Sequence, residues 1–260
     1  MIKDKIVVIT GASSGLGSEL GRQYAQKGAT VVLLARNKEK LDELERQILI
    51  EGGSAWSTVL DITHPEAVDS VFREIQKRFE KIDILINCAG LGNFQLFNEM
   101  KFDSMKRMFA VNVMGLIACT RAALPLMLQS KQGHLVNIAS IAGKITTPKS
   151  VVYGATKHAV IGFSDGLRME LEHEGIRVTV VNPGPIRTPF LKFADPSGNY
   201  AKKAGRYMLD PRSVAEKILK AVEQNKREIN LPRYMGIGAK LYQIFPDLFE
   251  KVFGTFLKMK

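Results

Sequence analysis

The chain has only two cysteines in 260 residues, Cys88 and Cys119. That excludes a disulfide framework and a cysteine-built zinc site. Both stand among apolar neighbours and read as small buried hydrophobes in a reducing compartment. There is no continuous apolar run of the ~18 residues that a membrane span needs. The start, M-I-K-D-K-I-V-V-I-T, has too short an apolar stretch for a secretory signal. The expected location is the cytoplasm, with a peripheral membrane contact as the variant. Internal repeats and low-complexity tracts are missing, so one domain is the economical reading. Acidic residues are the scarcer charge: 26 Asp and Glu against 37 Lys and Arg, a net charge of +11. From residue 201 onward, 13 Lys and Arg face 6 Asp and Glu, which supplies +7 of that total. A basic excess suits an anionic ligand, an anionic membrane surface or nucleic acid. Without a zinc finger, an RNP-like motif or an aromatic-interleaved basic stripe, nucleic acid is set aside.

What is present is an alternation. Short apolar runs at 5–10, 30–35, 55–60, 82–87, 134–139, 176–181 and 228–231 read as strands. Between them lie helical patterns, among them 38–51, 65–80, 102–130, the Tyr153 helix to about Glu174, and 211–224 behind the Asp210-Pro211 cap. Strands with continuous apolar character, alternating with helices, argue for a parallel sheet covered on both faces. The expected fold is α/β: one doubly wound Rossmann domain with a parallel seven-stranded sheet, over residues 1–232. Residues 183–209, with Pro183, Pro185, Pro189 and Pro196, are too long for a routine connection and read as a substrate-covering segment.

Three local patterns carry chemistry. The turn Thr10-Gly11-Ala12-Ser13-Ser14-Gly15-Leu16-Gly17 falls between the first strand and the first helix. Glycines there let the backbone approach a pyrophosphate, and the helix N-terminus offers free N–H groups. The second strand ends in Ala35-Arg36-Asn37, where a carboxylate for a ribose 2′-OH is absent. Arg36 suits a 2′-phosphate, which points to NADP(H) over NAD(H). The third pattern is Ser140 followed by Tyr153-x-x-x-Lys157. On one helix the phenol and the ammonium lie one turn apart, and a nearby cation favours the phenolate. That arrangement builds a general acid/base from a tyrosine.

With these patterns, Asn87-Cys88-Ala89-Gly90, Asn112 and Asn182-Pro183-Gly184 in order, the chain resembles the short-chain dehydrogenase/reductase family over about residues 4–232. The resemblance implies hydride transfer between a nicotinamide and a carbonyl or secondary alcohol. Tyr153 would be the proton donor or base, and Ser140 would hold the substrate oxygen. Lys157 would hold the nicotinamide ribose and lower the phenol's pKa. Asn112 would position a water for Lys157. Gly11, Ser13, Ser14, Gly15, Leu16 and Gly17 would cradle the pyrophosphate, and Asp61 would meet the adenine amino group. Asn87, Ala89 and Gly90 would line the adenosine ribose; Pro183, Gly184, Ile186 and Thr188 would seat the carboxamide. Cys88 departs from the family's usual second Asn. No metal is called for. A homodimer or homotetramer through the helices near 102–130 and 153–174 is implied as well.

The tail 233–260 reads as an amphipathic extension. Asp247 and Glu250 have the spacing of a capping box. Leu248, Phe249, Val252, Phe253, Phe256 and Leu257 form one apolar stripe, with Lys251, Lys258 and Lys260 beside it. The stripe suits three roles: packing on the body or a sister subunit, lying on a membrane, or covering a lipophilic cleft. Two rivals to a carbonyl reductase stay open here: a 3-oxoacyl carrier-protein reductase, and a non-catalytic dinucleotide sensor.

Overall fold

The computed structural model describes residues 2–257, with side chains up to Gly254 at the C-terminal end. Seven strands alternate with helices along the chain. β1 (Ile6–Thr10), β2 (Thr30–Ala35) and β3 (Ser54–Val59) are separated by α1 (Gly15–Gln26) and α2 (Lys38–Ile50). α3 (Pro65–Phe79) leads to β4 (Ile84–Asn87). α4 (Phe102–Phe109) runs through a π-helical segment, Ala110–Gly115, into α5 (Leu116–Ser130), which precedes β5 (Gly133–Ile138). α6 (Val151–Glu170) then leads to β6 (Ile176–Pro183). The strands pair only in parallel, in the order β3-β2-β1-β4-β5-β6-β7, with β7 at Glu228–Leu231. This is the expected Rossmann architecture. The strand order reverses between β1 and β4, and in such sheets a cleft opens there beyond the carboxyl ends of the strands.

The runs that read as strands are buried on both faces because two layers cover them. On one side α1, α2 and α9 (Pro211–Glu223) pack Leu20, Tyr24, Leu41 and Ile218 against Val7, Ile9 and Leu33. On the other, α3 and α5 pack Val68, Phe72, Cys119 and Ala123 against Val8, Val32 and Leu85. The run Phe102–Ser130 is long and apolar enough, by length and composition, to cross a membrane. This corrects the reading that no segment qualifies. Core packing accounts for much of its apolar character: Leu116, Ala118, Cys119, Ala123, Leu126 and Met127 are all buried.

A polar ladder crosses this apolar interior. Asn87 donates to Thr120 Oγ1 at 3.0 Å and to Asn137 Oδ1 at 2.9 Å. Asn137 donates in turn to Ser164 Oγ at 2.8 Å, so α5, β4, β5 and α6 are tied in one row.

Segment 183–209 is more ordered than its prolines suggest. It holds α7 (Phe190–Ala194) and α8 (Asn199–Ala204). Its base is closed by the Ile186–Leu209 bridge, and Phe94 N–H bonds to the Ala194 carbonyl at 2.7 Å. Beyond β7, α10 (Arg233–Ile244) packs on β7, and α11 (Pro246–Leu257) turns back onto α10. The capping-box expectation is overturned. The helix begins at Pro246, which puts Asp247 inside its first turn, and Glu250 accepts from the Tyr242 hydroxyl at 3.0 Å. The side chains of Phe256 and Leu257, and residues Lys258 and Lys260, lie outside the described set.

Candidate active site

One cleft of about 1260 Å³ lies at the carboxyl ends of the strands. Its floor at one end is the β1–α1 turn. A Cβ on Gly17 would stand 2.3 Å from the Gly11 carbonyl oxygen, and one on Gly11 would stand 2.7 Å from Ala89 Cα. Only glycine allows backbones this close. Gly11 and Gly15 also take φ values of +71° and +58°, which glycine adopts without strain. Ser14 is the N-cap residue of α1, yet its side chain makes no capping bond, and no acid stands in the first turn. The helix therefore presents N–H groups and a positive dipole end to the cleft beside Ser13, Ser14, Leu16 and Gly17. These features fit a bound dinucleotide pyrophosphate.

Past the end of β2 the lining is cationic. Arg36 and Lys40 both face the cleft there. Asn37 is occupied as the α2 cap, accepting from Lys40 N at 2.8 Å. Arg36 approaches Asp61 only to 3.8 Å, and both are partly exposed, so the pair stabilises little. Asp61 lines the cleft, but its Oδ1 accepts from the Thr63 N–H at 3.0 Å and the Thr63 hydroxyl at 2.8 Å. Burial works against its charge, but the Thr63 bonds and the Arg36 guanidinium outweigh that and hold the carboxyl below its ordinary range. Lys40 escaped the sequence reading; its place in the first turn of α2, facing Arg36's loop, is the signal that would have found it.

Ala89 and Gly90 line the cleft, and Asn87 does not. This corrects the sequence expectation. Position 87 is the last of β4, where its side chain turns into the sheet and joins the polar ladder, at 2% exposure. Cys88 and Ala89 donate their N–H groups to Thr10 Oγ1, both at 3.1 Å. The Cys88 departure therefore leaves the loop anchored through its backbone. Burial raises the Cys88 thiol to about 12, with Lys157 acting in the opposite sense.

The proposed chemical centre gathers as the sequence spacing predicts. α6 carries Tyr153 and Lys157 on one face, with the Lys157 ammonium 5.8 Å from the phenol ring centre. Lys157 Nζ donates to the Ile138 carbonyl at 2.8 Å. Ser140 caps a short 3-10 turn, its Oγ accepting from Ala142 N at 3.1 Å. The Tyr153 ring is walled by Phe94 and Phe190, with ring centres 5.6 and 5.9 Å away. Burial pushes its phenol above the ordinary value, and the Ser140 hydroxyl beside it pulls the other way. Tyr200 adds to the rise, and the expected lowering by Lys157 does not figure among the influences on the phenol. The same burial lowers the Lys157 ammonium to about 8, with Cys88 opposing. A Cβ on Gly90 would stand 3.7 Å from Lys157 Nζ and 3.6 Å from Asn112 Oδ1, so that glycine keeps the space between them narrow but open.

Asn112 lies in the π-helical segment and is 1% exposed. Both its amide N–H groups are spent on protein, one on the Leu91 carbonyl at 2.8 Å and one on Thr156 Oγ1 at 3.0 Å. Its side chain is therefore a brace between the 89–91 loop and α6. Pro183, Gly184, Ile186 and Thr188 line the cleft beside Ser140. Gly184 is held by its N–H to the Leu231 carbonyl at 2.6 Å.

The far limb of the cleft is apolar and aromatic. It is walled by Phe193 and Tyr200 from the 183–209 segment, by Ile237 and Leu241 from α10, and by Phe249 and Phe253 from α11. Of the roles open to the tail, covering the cleft is one that its inner side performs.

A glycine-built phosphate cradle, a reversed parallel sheet and a buried Tyr/Lys pair beside a serine define a dinucleotide-dependent oxidoreductase. A family model described as "short chain dehydrogenase" matches residues 5–197. The chain belongs to the short-chain dehydrogenase family. An uncharacterized oxidoreductase of Staphylococcus aureus strain N315 is 38% identical over 226 residues, 87% of this chain and 94% of that one. Among solved structures, a closed form of serine dehydrogenase complexed with NADP+ is 31% identical with a TM-score of 0.79, covering 87% of this chain and 93% of its own. A short-chain dehydrogenase/reductase of Burkholderia phymatum in complex with NAD superposes with a TM-score of 0.88 at 24% identity, over 95% of both chains. The chain is an NAD(P)-dependent oxidoreductase that works by hydride transfer.

Proposed function

We propose that the enzyme uses NADP(H) to interconvert a lipophilic ketone or aldehyde and its alcohol. The observation that carries this reading is the pairing of two cleft ends: Arg36 and Lys40 at one, and an aromatic pocket around Tyr153 at the other. Bound in the glycine turn, the nicotinamide cofactor supplies or accepts the hydride. Gly11 to Gly17 hold its pyrophosphate, Arg36 and Lys40 its 2′-phosphate, and Pro183 to Thr188 its carboxamide end. The serine dehydrogenase relative, solved with NADP+, supports the choice of the phosphorylated form.

Ser140 donates a hydrogen bond to the substrate oxygen. Tyr153 passes its proton to that oxygen as negative charge builds there, and Lys157 stabilises the phenolate left behind. A phenol held above its ordinary pKa keeps its proton until the acceptor becomes basic. Phe94 and Phe190 exclude water from the transfer. Asn112 and Thr156 brace α6 so that Tyr153 and Lys157 keep their spacing.

The apolar mouth favours a lipophilic substrate: Phe193, Ile237 and Leu241 stand there, with Lys203 near them. Two free cysteines suit a reducing cytoplasm. Exposed Phe102, Phe109 and Met114 on the α4–α5 run and Met169 on α6 suit a homodimer or homotetramer through those helices. The test is NADPH oxidation against ketones of rising chain length. The reading expects kcat/KM to climb with each added apolar segment until the cleft is filled. Tight NADPH binding with no turnover of any carbonyl would instead make the protein a sensor.

A further inference from the structure

One face of the last two helices is apolar and stays exposed, and part of it also rims the cleft. On α10, Tyr234, Ile237, Leu241 and Ile244 recur every three or four residues, so they share one side of the helix. All four are exposed. The opposite side carries Gly236 and Ala239, buried toward β7; a Cβ on Gly236 would stand 2.5 Å from Asn230 Cβ. On α11, which packs on α10, Leu248 and Val252 stand one turn apart at 60% and 63% exposure. Single exposed apolar side chains are ordinary on a protein surface, but six on two helices packed together are not.

The borders of the strip are cationic. By helical periodicity Arg233 and Lys240 flank it on α10, and Lys251 flanks it on α11. Of the two acids on these helices, Glu250 is turned to the Tyr242 hydroxyl, and Asp247 lies in the first turn of α11 off the strip. Across the mouth, α7 and α8 add Lys192, Lys202 and Lys203 beside Phe193, itself 73% exposed. The strip shares residues with the cleft: Ile237 and Leu241, with Phe253 of α11, are at once exposed and cleft-lining. Apolar side chains bordered by lysine and arginine match a surface of anionic headgroups above hydrocarbon.

We propose that α10 and α11 dock the enzyme on an anionic lipid bilayer, strip inward, with the cleft mouth opening at headgroup level. Three variants of the full chain test this by co-sedimentation with vesicles of phosphatidylglycerol and, separately, of phosphatidylcholine. The wild type binds phosphatidylglycerol vesicles, releases with rising salt, and binds phosphatidylcholine weakly. Ile244→Glu with Leu248→Glu, at positions outside the cleft lining, lowers vesicle affinity by about tenfold or more, because two inserted side chains are lost. Arg233→Glu with Lys240→Glu removes the preference for the anionic vesicle. The single change Ile50→Glu, at the end of α2 by the opposite edge of the sheet, binds as wild type. NADPH titration in each variant reports that the fold survives, so failure to bind lipid is separable from failure to fold. Absence of wild-type binding to either vesicle overturns the proposal. So does equal binding by the Ile244/Leu248 variant. A wild-type oligomer that this variant splits, with no lipid binding by either, overturns it in favour of a second copy covering the strip.

Discussion

Asn112 holds both polar groups of Leu91, accepting its N–H at 2.7 Å and donating to its C=O at 2.8 Å. The two-point clasp fixes the loop that carries Ala89 and Gly90 over the cleft. Asn112→Leu keeps the branched shape and strands both Leu91 groups, while the Thr156 hydroxyl keeps its bond to the Tyr153 carbonyl. Each lost partner costs about 1–3 kcal/mol, and a Tm loss of roughly 2–4 °C per kcal/mol follows for a chain of this size. Differential scanning calorimetry checks it. Because the clasp positions the loop, KM for NADPH should rise more than kcat falls.

Tyr153→Phe removes one oxygen and leaves the ring packing on Phe94 and Phe190. Loss of a positioned acid lowers kcat by about 10²–10⁴-fold, while the NADPH dissociation constant stays within a factor of about two. Steady-state kinetics with a good ketone, beside fluorescence titration of NADPH, separates the two. Turnover at the parent rate would remove Tyr153 from the chemistry.

Arg36→Ala and Lys40→Ala test the cationic end of the cleft. A charge-assisted contact to a 2′-phosphate is worth about 1.5–3 kcal/mol, so each change weakens NADPH about tenfold or more. NADH, which lacks that phosphate, should bind both variants as it binds the parent. Equal losses for the two cofactors would move the preference elsewhere.

His134 supplies a pH dependence. Its Nε2 faces Thr179 Oγ1 at 2.7 Å, and Thr179 gives its own proton to the Lys226 carbonyl, so the imidazole is the donor. Burial, helped by nearby Arg177, lowers it to about 4. Between pH 4 and 6.5 the unfolded chain therefore binds the extra proton and the folded one does not. The stabilising contribution is complete above 6.5 and is lost as the pH falls through 4, with a slope of up to about 1.4 kcal/mol per pH unit. Guanidinium unfolding of His134→Gln should show a smaller stability drop from pH 7 to 5 than the parent. Parallel curves would sink the assignment.

The parallel sheet was legible in the sequence because its strands are apolar on both faces, and the glycine turn because its spacing sits between a strand and a helix. Tyr153, Lys157 and Ser140 converge as a helical offset and a strand end dictate. Asn87 misled for a simple reason: at a strand terminus, one residue decides whether a side chain meets the cleft or the core. The π-helical turn at Asn112 left no pattern in the sequence, since one extra residue per turn changes no composition. Order in 183–209 was hidden because its helices are short and held by tertiary bonds such as Phe94 to Ala194. The partial closure of the cleft by α10 and α11 depends on where the chain goes after β7, which periodicity does not encode.

The row from Thr120 through Asn87 and Asn137 to Ser164 has its own consequence for how this interior can vary. Every rung is at most 2% exposed. Replacing one rung by an aliphatic residue therefore strands its neighbours out of reach of water. The four positions are energetically interlocked, and a double-mutant cycle across any adjacent pair should be strongly non-additive. Substitutions here succeed as sets, and a lone change meets the largest penalty.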